Sequence, residues 1–287
     1  MHETITKIIE AKPSLARTFR RLIKHRLVVT GAAVILILLF IGVFASFIAP
    51  HSPIEQNLSY RLMLPNMEYP LGTDNLGRCI LSRLMYGARI SLRIGIIVVG
   101  INSIVGIILG LTAGYFGGII DELIMRVVDI MLALPGIIVA LLIAGLLGPS
   151  LFNIMLALTI IGWTSYARVV RGSVLSVKER EFIEAERALG AGNMRIIFCH
   201  VLPNVLAPIL VMATLGMGHV ILTASALSFL GLGAQPPIAE WGSMLNSGRA
   251  FMRTAPHLMV FPGLAIMVSV LAFNFLGDGL RDVLFKS

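Results

Sequence analysis

From Leu27 to Ala49 the sequence carries no charged side chain. As a helix rising 1.5 Å per residue, this run is long enough to cross a hydrocarbon core of ~30 Å. In lipid every backbone polar group has to be satisfied within the chain, so a helix is the form such a run takes. The pattern then recurs. Apolar stretches cover Ile90 to Tyr115, a third segment that contains Pro135 and ends at Gly148-Pro149, Leu151 to Ala167, Val205 to Leu230, and His257 to Phe275. Six spans are therefore expected, in an all-α integral membrane protein. Composition agrees, with 57% hydrophobic and 13% charged residues and a mean hydropathy of +0.90.

The net charge of +8 does not point to nucleic acid. Lys and Arg gather at the ends of the apolar runs without the basic and aromatic interleaving that binds bases, and the positive-inside rule accounts for that placement. It predicts a cytoplasmic tail over residues 1–26, a first span over 27–50, an extracytoplasmic segment over 51–88, and a five-helix core over 89–287 with a long cytoplasmic loop over 171–203. Both termini are then cytoplasmic in a multi-pass protein of the inner or plasma membrane. The first apolar run is too long for a signal-peptide h-region and is expected to stay as an anchor. Cys79 and Cys199 fall on opposite sides of the membrane, which argues against a disulfide between them.

Local chemistry adds finer expectations. Thr73 and Asp74 are suited to capping a helix that begins near Leu76. Arg83, Tyr86 and Arg89 suit an interfacial segment, and Arg93 lies near the outer end of the second span, where it can snorkel. Gly95, Gly100, Gly106 and Gly110 allow close helix approach. A short inner turn is expected from Phe116 to Asp121, and pairing of Arg126 with Asp129 on one helical face. Pro135 should kink the third span, and Trp163 and Tyr166 belong toward the inner interface.

The loop between the fourth and fifth spans is polar and patterned. Glu184 to Leu189 are good helix formers, Gly190 and Gly192 permit a tight turn, and Met194 to Val201 resume a helix that Pro203 interrupts. Glu184, Ala185, Gly190, Leu202 and Pro203 resemble the EAA motif of permease subunits in ATP-binding-cassette importers. Two positions depart from that motif: Glu186 stands at its second Ala and His200 at its Ile. His200 ahead of Leu202-Pro203-Asn204 is similar to the peptide and nickel branch. Leu71-Gly72-Thr73-Asp74, Gly77-Arg78 and Gly87-Ala88-Arg89 resemble the same branch, with Cys79 where an Asp is usual. Arg126 to Pro135, Ser228 to Gly233 and Asn274 to Asp282 continue the resemblance.

The resemblance implies a type I importer permease fold. It also implies a second homologous permease, two ATPase subunits and an extracytoplasmic solute-binding protein as partners, within membrane lipid. Glu184, Ala185, Gly190, His200, Leu202 and Pro203 would couple the chain to the ATPases, and the cargo would be nickel, another metal chelate or a short peptide. The sequence has no phosphate-binding Gly-rich loop with Lys-Ser/Thr, no His-Glu-x-x-His and no nucleophile elbow, so no cofactor and no catalytic residue is expected. His219 is a titratable ring within the fifth span, on one helical face with Met212 and Thr223. These three are the candidates for the translocation path, and whether they hold a metal is left open. The alternative is an ion-coupled secondary transporter working without ATPase subunits, which would require buried carboxylates and internal repeats.

Overall fold

In a computed structural model the described residues are 15–285. The basic positions Lys7 and Lys12 of the expected tail lie outside them. A helix α1 (Leu15–Lys24) turns at His25 into α2 (Arg26–Ile48), the first apolar run. An irregular segment with a 3₁₀ turn at Leu58–Tyr60 leads to α3 (Ile80–Phe116), the longest unbroken α-helix. Then follow α4 (Gly118–Ala133), α5 (Gly136–Leu147) and α6 (Leu151–Lys178). The polar loop holds α7 (Glu181–Ala188) and α8 (Asn193–Ile196), and α9 (Leu202–Phe229) returns through the bundle. A short α10 (Trp241–Gly248) precedes α11 (His257–Phe285). Five helical segments are long and apolar enough to span a membrane, and the bent pair α4–α5 makes the sixth when counted as one.

Glycine placement explains the central packing. Gly106, Gly110 and Gly114 lie along one face of α3, and a Cβ on any of them would press into α6 at Tyr166, Ala167, Val170 or Val174. Small residues let the two backbones close without a hydrophobic drive that lipid could not supply. Helix α2 packs on α3 and α11, and Arg89 crosses from α3 to α2: its Nε donates to Gly42 O at 2.7 Å and its Nη2 to Val43 O at 2.8 Å.

Several expectations are corrected by what the side chains meet. The third helix begins at Ile80 and not near Leu76, because Asp74 does not cap it. Asp74 Oδ1 accepts from the Leu76 and Arg78 amides, and Thr73 Oγ1 accepts from the Met63 amide. The expected turn from Phe116 to Asp121 shrinks to a hinge at Gly117 and Gly118, both with positive φ. Asp129 pairs with Arg168 of α6, and Arg126 lies 3.4 Å from Glu122; the neighbouring helix offers Asp129 a better-placed cation than its own face does. Together with the bidentate Asp121–Arg171 pair, at 2.5 and 2.6 Å, this ties α4 along α6. Past Pro135 the chain does more than kink: α5 is turned 86° from α4.

Pro203 does not end its helix. Ile197–Val201 widen into a π turn in which the Leu202 amide donates to Ile197 O, and the chain passes from α8 to α9 without a break. A wider turn is one way a helix accommodates a residue with no N–H. Helix α6 runs on to Lys178, so Tyr166 lies well inside it; the side chain is buried in the bundle instead of sitting at an interface. The connection between α9 and α11 folds in part as α10, whose N-cap Glu240 accepts hydrogen bonds from the Gly242 and Ser243 amides at 2.8 and 2.9 Å. Burial pushes the Glu240 carboxyl up, and those two amides pull it back.

Candidate functional site

Two sites emerge, one at each level of the bundle. The first is the polar loop. Helix α7 is anchored by Ile183, which is fully buried against α3, α6 and α8 in a cluster with Tyr115, Val174, Val177, Ile196 and Val201. Tyr115 holds the other arm, donating to Asn193 Oδ1 at 2.9 Å, and Lys178 Nζ donates to Gly114 O at 3.0 Å. Gly190 has φ +82°, the left-handed region where an L side chain is strained, as expected from its place in the turn.

Glu186 and His200, the two departures from the motif, meet in space: His200 Nε2 lies 3.4 Å from Glu186 Oε1. They join the loop helix to the helix that follows it, so one departure is answered by the other. Glu184, Ala185 and Gly190 lie on the exposed side of the loop, and Leu202 and Pro203 open α9 beside it. Around them stand apolar side chains with no cover: Leu189 is 84% exposed, and Met194, Phe198 and Phe182 are exposed as well. The loop thus buries Ile183, Ile196, Ile197 and Val201 while these four apolar side chains stay in the open.

The second site is a cleft of about 700 Å³ walled by α3, α4, α5, α6 and α9. Met212, His219 and Thr223 all line it, as their shared helical face predicts. Thr223 Oγ1 donates to His219 O at 2.8 Å, so its hydroxyl is turned back onto its own helix. The rest of the lining is glycine and apolar side chains with Asn102, Thr164, Ser165 and Tyr166, and among the described residues it has no carboxylate, lysine or arginine.

Asn102 and Tyr166 were missed as site residues. Tyr166 donates to Met212 O of α9 at 3.4 Å, while the buried Asn102 Oδ1 has no partner among the described residues. An Asn in the middle of the second span was the available signal, since an amide is costly in a span unless it is used.

A broken-helix membrane bundle, with an anchored polar loop at one end and a cleft through its middle, is the architecture of a transporter's membrane subunit. The chain belongs to the family of binding-protein-dependent transport system inner membrane components, whose profile matches residues 106–287. A second profile, the N-terminal TM domain of oligopeptide transport permease C, matches residues 14–65.

Curated relatives agree along nearly the whole length. The dipeptide transport system permease protein DppC of Alkalihalophilus pseudofirmus is 50% identical, covering 93% of this chain and 88% of its own. The di/tripeptide permease DppC of Pseudomonas aeruginosa is 46% identical over 88% and 86%. The glutathione permease GsiD of Escherichia coli is 44% identical over 95% and 92%. Among solved structures, the inward-facing MetNI methionine ABC transporter superposes with a TM-score of 0.56 at 21% identity, covering 70% of this chain and 95% of that one. The fold is thus that of a type I ABC importer permease, and the chain is a multi-pass permease subunit of an ABC importer.

Proposed function

We propose that this permease carries short peptides, glutathione-like ones included, through the cleft that Met212, His219 and Thr223 line. A second homologous permease completes the path. Two ATPase subunits supply the ATP hydrolysis that this chain does not perform, and an extracytoplasmic binding protein delivers the cargo. The carrying observation is the lining itself: polar side chains on apolar walls, with no carboxylate, lysine or arginine among the described residues, which suits peptide backbones and side chains of either sign. The names of the relatives weigh the cargo toward peptides and away from nickel or another metal chelate. Family membership weighs against the ion-coupled secondary transporter. The polar loop is the ATPase contact in this reading, with Glu184, Ala185 and Gly190 on its exposed side.

His219→Ala in the assembled importer should lower dipeptide uptake per complex several-fold, with complex recovery and basal ATPase activity near wild type. Uptake per complex that does not change removes His219 from the path. A ring that only bonds a neighbouring helix would show as lost recovery instead, worth ~1 kcal/mol.

In this reading the loop at 171–203 faces the cytoplasm and the 51–88 segment faces outside. Ser59 and Ser176 are both exposed, which suits them to labelling. Cysteine introduced at Ser59 should react with an impermeant reagent in intact cells, and cysteine at Ser176 after lysis. Reaction of both from outside would overturn the arrangement.

A further inference from the structure

At the end of the bundle opposite the polar loop, Arg78 and Arg83 are 4% and 3% exposed and share one carboxylate. Arg78 Nε donates to Asp74 Oδ2 at 2.7 Å, and Arg83 Nε lies 3.5 Å from the same oxygen. The other Asp74 oxygen is taken by two backbone amides, and Arg83 Nη1 donates to Pro53 O at 2.9 Å. Glu240 is the buried carboxylate on the nearby α9–α10 connection, and it is turned to the amides that open α10.

Two guanidiniums against one carboxylate leave a positive charge in excess, and arginine cannot shed it by deprotonation. A charge this poorly hydrated is costly until an anion joins it. Among the described residues no second carboxylate pairs with either arginine. Both side chains line a pocket of about 210 Å³ that also presents Gln235, Ser243, Asn246 and Ser247. Two guanidiniums beside these polar walls are the equipment a planar oxyanion requires.

We propose that this pocket is a carboxylate-binding site held by Arg78 and Arg83, filled in the working importer by the C-terminal carboxylate of a peptide arriving from the outer side. The charge excess and the pocket carry the site; the peptide as source rests on the function proposed above. A free organic anion offers the same chemistry, and the test separates the two.

The assembled importer, purified without its binding protein, is titrated at constant ionic strength with acetate, dialanine and dialanine amide, and its unfolding temperature is read. Acetate and dialanine should raise that temperature saturably, and the amide should not. Arg78→Gln should shift the acetate midpoint by about 10-fold or more, from the loss of charge-assisted bonds. Ser247→Phe, at an exposed position on the pocket wall, should abolish the response while leaving the ion pairs in place. It keeps the test alive if Arg78→Gln does not fold.

A wild type without a saturable acetate response, or a Ser247→Phe protein that keeps one, overturns the site. Equal responses to dialanine and its amide overturn the peptide terminus as its occupant. Absence of ATP-driven dialanine uptake by the wild-type importer with its binding protein strikes the peptide reading alone, and the acetate titration still decides the site.

Discussion

Ile183→Ala should disconnect ATP hydrolysis from uptake while leaving the protein inserted. Ile183 is the one side chain of α7 that is buried, and it is buried completely. Truncating an isoleucine in such a site costs ~2–5 kcal/mol, the lost transfer energy plus the cavity left behind. A helix of two turns has no reserve against that loss, since isolated helices need ~12–15 residues even to be marginal in water. The cost falls on the loop because the spans have their own packing along α3 and α6. Limited trypsin digestion at Arg180 and Arg187 should become fast, and uptake per recovered complex should fall at least ~10-fold if the loop detaches for most of the time. A protected loop with full uptake would show that α7 is held by its partner and not by Ile183.

Gly106→Leu should act on the whole bundle. The added side chain meets Tyr166 Cβ, the Ala167 amide nitrogen and Trp163 O, so two of its three nearest neighbours are backbone atoms that cannot swing aside. Overpacking of this kind costs ~1–3 kcal/mol where side chains can yield, and more where backbones must part. Separation of α3 from α6 also moves Tyr166, and with it the wall of the cleft. Recovery of folded permease should drop sharply. Gly100→Leu is the control, since nothing lies within 4 Å of the Cβ it would add. Equal recovery of the two variants would mean that α3 and α6 do not depend on this contact.

The spans were legible because lipid leaves few choices. An uncharged run such as Leu27 to Ala49 has to close its hydrogen bonds within itself, and that demand is written in composition alone. Gly190 was legible for a comparable reason, as a turn between two short helices favours a residue free to adopt positive φ. The shared face of Met212, His219 and Thr223 followed from helical periodicity, which holds whatever surrounds the helix.

What periodicity cannot supply is the neighbour. Asp129 looked paired to Arg126 on its own helix, and α6 supplied Arg168 instead. Pro203 looked like a terminator, and packing of Ile196, Ile197 and Val201 carries the helix through it in a wider turn. Glu186 and His200 were separate departures from a motif until the loop folded back and set them 3.4 Å apart. The same holds for Asp74, Arg78 and Arg83: the sequence shows three charges near a helix start, while their burial with one charge in excess depends on elements distant in the chain. Which segments cross the membrane is decided residue by residue, through the local cost of unsatisfied backbone and charge in lipid. Which polar groups meet inside is decided by the approach of helices remote in sequence, and only the tertiary structure records it.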